Sequence, residues 1–368
     1  MPQSWLTILQ ELKTYLDQNT DIEISANSIC IPADKRPDFY ALFNKAGLSF
    51  IQGNYPQFIE RGNALARAWA VARQQLVHDL ELKELKIPAD THWFLENPSD
   101  GLMRHLIDSL FDVLRGKLDA AGFEERAKPL VAMLFDRFFR DGYRLWGTAA
   151  LLNLMSTDRA YEVPVPDYYD PGMADMTDLR PGTFKDTVPL PRATHRLVFE
   201  KVPLCTFLVP TALVHAGRLD SFVALRESFC EARWQARTYS PGITWQNIQD
   251  LGKGYSHGEF WPDLALYINT DLKELNLIAD YYRISRPEII LEFRGDAGWY
   301  EKEGIDSIRR HHDALRPRLG SFVICREFPP DAAFRALLQD LGIRLLSVGY
   351  DMNKLEPVVR ALMSEDSP

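Results

Sequence analysis

Near the C-terminal end of the chain, two carboxylates and a guanidinium, Asp280, Glu292 and Arg294, are spaced for metal-assisted chemistry. Glu292 and Arg294 stand two apart in the apolar run EIILEFRG, and a strand's period of two puts both on one face. Eleven residues separate Asp280 from Glu292. If LNLIADYYRIS is the preceding strand of a hairpin, Asp280 reaches that same face. Two carboxylates are what a hard cation such as Mg²⁺ or Mn²⁺ takes beside waters and phosphate oxygens, and a nearby cation stabilises charge developing on a scissile phosphate. Asp280, Glu292 and Arg294 are the expected catalytic residues on this reading, the two acids being metal ligands.

The elements that must hold them follow in a regular order. GEFWPDLALYIN (258–269) reads as a short helix with Pro262 in its first turn. Two strands come next, joined across Arg286-Pro287, and then EKEGIDSIRRHHDALRP as a helix ended by Pro317. GSFVICREF is a strand, PDAAFRALLQDLG a helix, IRLLSVG a strand and MNKLEPVVRALM a final helix. One sheet is expected to contain 275–284, 288–294, 320–327 and 343–348.

Upstream, apolar residues recur near a period of 3.6: Leu65, Trp69, Ala72 and Leu76, then Met103, Leu106, Leu110 and Leu114, then Leu130, Met133, Leu134 and Phe138. Ser99 or Asp100 is placed to cap the helix after ENPSDG. Residues 156–193 are proline-rich and aperiodic, as an extended linker is. LVFEKV, CTFLVPTALVH and SFVALRES read as short strands. The expected architecture is α+β: a mostly helical domain over 1–155, a linker over 156–193, and an α/β domain over 194–368. VPTALVHAGRLDSFVALRES also echoes the later hairpin, with Thr211, Ala224 and Arg226 at the places of Asp280, Glu292 and Arg294; coincidence between amphipathic hairpins is the simpler account.

The arrangement D280-x11-E292-F-R294, followed by helix, strand, helix and strand, resembles the PD-(D/E)xK (restriction-endonuclease-like) superfamily over about residues 255–355. The tail from Gly320 also resembles the strand-helix-strand close of the superfamily's Mrr-like branch. That resemblance implies a nuclease-like core, Mg²⁺- or Mn²⁺-dependent cleavage of DNA or RNA, and Asp280 and Glu292 as ligands. Arg294 would stand in the usual lysine's place, and Asp263, on the preceding helix, would add an acid to the metal site. Two features depart from the pattern. Asp280 lacks the preceding proline, the nearby Pro-Asp pair being Pro262-Asp263, and a guanidinium stays protonated at any working pH. The alternative to a nuclease is a catalytically inactive nuclease-fold scaffold within a larger assembly; an unrelated α/β enzyme acting on a small metabolite is a third reading.

Composition narrows the partners. The 368 residues carry 42 Lys and Arg against 51 Asp and Glu, a net charge of −9, so a polyanion must be met by a local patch. Arg309, Arg310 and His311, on one predicted helix, are the expected substrate-binding patch. GKGYSHG lacks the spacing of a phosphate-binding loop, and Ser228 and Cys230 have no general base beside them in sequence. Four scattered cysteines without a CxxC pair exclude a structural zinc site and suit a reducing compartment. With no apolar run of ~18 residues and an acid-bearing amphipathic start, the expectation is a cytoplasmic protein without membrane contact. The aromatic-rich helical half is the expected surface for a protein partner.

Overall fold

The structure, a computed structural model, describes residues 4–163, 190–199, 210–226, 245–247, 262–272, 275, 279–280, 283–296, 298–302, 304–329 and 331–363. Two compact units divide the chain, one of residues 1–69 and 89–142, the other of 70–88 and 143–368.

The first unit is built on helices α1 (Trp5–Gln18), α2 (Arg36–Asn54), the start of α3 (Pro56–Asp79), α4 (Ala89–Glu96), α5 (Pro98–Met103), α6 (Ile107–Leu114) and most of α7 (Ala120–Leu154). A short ladder of β1 (Glu23–Ile24) and β2 (Ile29–Cys30) accompanies them. Its core is aromatic: Phe39, Phe43, Phe50, Phe94, Phe123 and Phe135 are fully enclosed. Burying such rings, at roughly 25 cal/mol per Å² of apolar surface, is the main drive for this helical packing. The cap of α5 is Asn97, ahead of either predicted residue; its side chain accepts from the backbone N–H groups of Ser99 and Asp100 at 3.1 and 3.3 Å. Pro98 has no N–H to satisfy, so it suits the first helical position.

The second unit is organised by an eight-stranded sheet in the order β15-β14-β13-β10-β8-β7-β4-β5. Its strands are β4 (Thr157–Tyr161), β5 (Ala193–Thr194), β7 (Ala212–Ala216), β8 (Ser221–Arg226), β10 (Leu264–Asn269), β13 (Ile289–Arg294), β14 (Ser321–Cys325) and β15 (Ile343–Ser347). β13, β14 and β15 run parallel, and the strands from β10 to β5 pair antiparallel with their neighbours. A small parallel pair joins β3 (Glu84–Lys86) to β6 (Arg196–Val198). A separate three-stranded sheet has the order β11-β12-β9, from Ala279–Asp280, Arg283–Ser285 and Trp245–Asn247.

All residues of β13 and β14 are buried, as expected of central strands covered on both faces. On one face Val323 and Cys325 join Trp299, Ile308, Leu338 and Ile343 in a cluster that seats helices Gly304–Leu315 and Ala332–Asp340. On the other, Phe293 meets the last part of α7 at Gly147, where a Cβ would lie 2.2 Å from the Phe293 ring.

Three expectations are corrected here. Residues 264–269 form β10 and not a helix. LALYIN is apolar on both faces, and Pro262 sits just ahead of the strand, where the missing N–H breaks no ladder bond. Neither β11 (Ala279–Asp280) nor β12 (Arg283–Ser285) joins the large sheet; β11 pairs antiparallel with β12, Asp280 in register with Arg283. Thr157–Tyr161 and Ala193–Thr194, read as ends of the linker, are paired strands of the large sheet. The stretch between them from 164 to 189, GKGYSHG, Ser228 and Cys230 lie outside the described residues. Among the described residues no helix is long and apolar enough to cross a membrane.

Candidate functional site

The chemistry-bearing residues meet at the C-terminal end of β13. Its two-residue period turns Glu292 and Arg294 to the face shared with Val323 and Cys325, because in the parallel register Glu292 stands beside Val323 and Arg294 beside Cys325. The antiparallel partner of β13 is β10, whose ladder closes at Leu264 with Leu291. One step further out is Asp263. Its carboxylate Oδ2 accepts from the Phe293 N–H at 2.7 Å, so a side-chain acceptor takes over where the backbone ladder ends.

The same oxygen accepts from Arg294 Nη1 at 2.8 Å, while Arg294 Nη2 donates to Glu292 Oε2 at 3.0 Å. One guanidinium thus bridges two carboxylates brought from adjacent strands. The second oxygen of Glu292, Oε1, lies 2.6 Å from His311 Nδ1 on the Gly304–Leu315 helix. Water is nearly excluded: Glu292 has 1% of its side-chain surface exposed, His311 6%, Arg294 8% and Asp263 17%. In this setting each charge needs its partner, because an unpaired buried ion loses hydration that nothing returns.

The face extends to β8. Arg226 stands opposite Ala265, which stands opposite Ile290, so Arg226, Asp263 and Glu292 share one side of the sheet. Arg226 is fully buried, its guanidinium 5.9 Å from the centre of the Tyr267 ring, and burial pulls its pKa down to about 10. Burial also raises the Tyr267 hydroxyl above its ordinary range.

Of the expected catalytic set, Glu292 and Arg294 are together and Asp280 is not with them; its strand belongs to the other sheet, and the place beside β13 is taken by β10. Asp263, expected on a helix, is the acid that shares Arg294 with Glu292. A Pro-Asp pair opening an apolar run was the signal, and Pro262 equally suited a helix's first turn. The expected substrate patch divides. Arg309 is exposed and pairs with Asp313 at 3.4 Å, Arg310 Nε donates to the Asp306 carbonyl, and His311 turns inward to Glu292. His312 is partly buried with Nδ1 2.9 Å from Ser321 Oγ, and burial lowers its pKa. The echoed hairpin β7–β8 lies in the large sheet with β13, whereas β11–β12 does not, so the two segments are not structural repeats.

A divalent ion does not fit this arrangement. Both Glu292 oxygens are engaged, by Arg294 and His311, and Asp263 Oδ2 already accepts from the Phe293 N–H and the Arg294 guanidinium. Among the described residues no group of three or more His, Cys, Asp or Glu side chains is placed to hold a metal. Compared with known proteins, the chain matches no protein-family model, no curated protein and no solved structure.

Proposed function

We propose that residues 212–363 carry a restriction-endonuclease-like core directed at nucleic-acid phosphodiesters, in a form that does not cleave and serves as a component of a larger assembly. The observation that carries this reading is Arg294. Its guanidinium lies between the carboxylates of Asp263 and Glu292, where the superfamily resemblance implies a metal, and it cannot give up its charge. Support for the fold comes from the order after β13: helix, strand, helix, strand, with β13, β14 and β15 parallel. Support for the site comes from Pro262-Asp263, which supplies the proline-acid pair that Asp280 lacks.

A second reading, a nuclease dependent on Mg²⁺ or Mn²⁺, draws on the same pair of carboxylates. Asp263 and Glu292 approach from neighbouring strands closely enough for one guanidinium to bond both. The two readings separate in an assay of single- and double-stranded DNA and RNA with millimolar Mg²⁺ or Mn²⁺. No cleavage by wild type is expected. Metal-dependent cleavage by wild type that disappears in Asp263→Asn and Glu292→Gln would establish the nuclease instead. Arg294→Lys, which restores the superfamily's usual residue, is the sensitive control: activity in that variant alone identifies the guanidinium as the block.

A further inference from the structure

At the opposite end of the parallel strands lies a cluster of arginines. Arg286 and Pro287 lead into β13, Arg316, Pro317 and Arg318 lead into β14, and Arg344 is the second residue of β15. The backbone ties these approaches together: Arg318 N–H donates to the Pro287 carbonyl at 2.9 Å and Leu319 N–H to the Glu288 carbonyl at 2.8 Å. Arg286 Nε donates to the Arg316 carbonyl and Arg344 Nη2 to the Leu319 carbonyl, each at 2.5 Å. Arg316 takes the left-handed conformation, at φ 45°, which turns the chain sharply before Pro317.

The Arg286 guanidinium is therefore held against the turn that carries Arg316 and Arg318, while Arg344, on β15, reaches back to the Leu319 carbonyl beside Arg318 and lies 4.1 Å over the Phe322 ring. The carboxylate bonded among them is Glu288, which spends one oxygen on the Ile268 N–H at 3.0 Å and the other on Arg318 at 3.2 Å. Burial, and then the charges of Arg316 and Arg318, hold the Arg286 guanidinium below its ordinary pKa. Like charges are thus placed near one another in a chain whose net charge is −9. The bonds found for Arg286 and Arg316 run to backbone carbonyls, through Nε in both cases, and these anchor the side chains without neutralising them.

We propose that Arg286, Arg316, Arg318 and Arg344 form a phosphate-binding site for a nucleic-acid backbone, separate from the buried Asp263–Glu292–Arg294 cluster. At ~3.3 Å per residue, β13 sets the two about 20 Å apart. Planar guanidiniums suit phosphate oxygens through paired N–H donors, and contacts of this kind bind the backbone without reading sequence. The choice of a nucleic-acid backbone over another phosphate carrier rests on the function proposed above; the anion site rests on the arginines.

The test is fluorescence anisotropy of the full-length protein with a labelled 20-nucleotide single strand and the matching duplex, at 50 and 200 mM salt. Three neutralised phosphates predict a loss of affinity of about 20–40-fold across that range. Arg286→Gln/Arg316→Gln should weaken binding and flatten the salt slope by about one to two, while Arg286→Lys/Arg316→Lys should keep most of both. If the double Gln variant melts early, the single Arg316→Gln at an exposed side chain should still flatten the slope by about one. Inorganic tripolyphosphate serves as competitor. Binding of tripolyphosphate without either oligonucleotide overturns the backbone assignment and, with it, the nucleic-acid direction of the protein. Oligonucleotide binding that the Gln variants leave unchanged overturns this site alone and leaves the proposed function standing.

Discussion

Arg294 is the residue on which the interior electrostatics turn. A guanidinium buried between two carboxylates repays its lost hydration because both partners are held at hydrogen-bond distance and His311 occupies the remaining oxygen of Glu292. Removing it leaves two carboxylates facing each other out of water. Arg294→Ala is expected to lower unfolding free energy by about 3–5 kcal/mol. Adding Glu292→Gln should recover part of the loss, because one of the uncompensated charges disappears. Urea unfolding with an unchanged m-value measures both, and a loss below about 1 kcal/mol in Arg294→Ala would show that the ion pairs contribute little.

At the scale of elements, β13 does two jobs through its alternation. One face offers Glu292 and Arg294 to the site, and the other offers Phe293 to α7. The close approach of that helix depends on Gly147, since a methyl group there would overlap the ring at 2.2 Å. Gly147→Ala is expected to destabilise by about 1–3 kcal/mol through overpacking, despite alanine's better helix propensity. Gly53, on α2, has open space where a methyl group would stand, with nothing within 4 Å, so Gly53→Ala should be neutral or stabilising by up to about 1 kcal/mol. Paired thermal melts check the contrast; equal shifts in the two variants would mean that the helix and strand relax apart without cost.

Across the whole molecule, neither compact unit is one continuous segment: residues 70–88 belong with 143–368. Long-range ties within the second unit reinforce this closure. Asn153 Nδ2 on α7 donates to the Ala72 carbonyl at 3.0 Å. Arg218, in the turn between β7 and β8, grips Glu356 with two bonds of 2.8 and 2.9 Å and also donates to the Leu154 carbonyl at the end of α7. The Arg218 bonds hold the Glu356 carboxyl at about 2, below its usual 4.5. A carboxyl whose pKa falls on folding stabilises the native state above its unfolded value, and the contribution disappears as pH drops through the folded value. Stability should therefore fall between about pH 4.5 and pH 2, and Glu356→Gln should flatten that part of the curve. An unchanged acid limb in the variant would show that the clamp is not linked to folding.

Alternation and helical period were enough to locate β13, β14, β15 and the helices between them, and to put Glu292 and Arg294 on a common face, because those patterns depend on neighbours in the chain. The same local rules fail at Pro262, which suits the start of a helix or of a strand, and so they set Asp263 on the wrong element. They also could not tell which strand stands beside β13. LNLIADYYRIS is the nearest in sequence, but LALYIN, apolar on both faces, can lie between two strands in the middle of a sheet. Local pattern groups His311 with Arg309 and Arg310 as a basic surface, since nothing local distinguishes an exposed imidazole from one turned inward to a carboxylate. Face and period are settled by adjacent residues. Partner, burial and charge compensation are settled by ladder pairing and desolvation, which join residues far apart in the chain, and only the tertiary structure decides them.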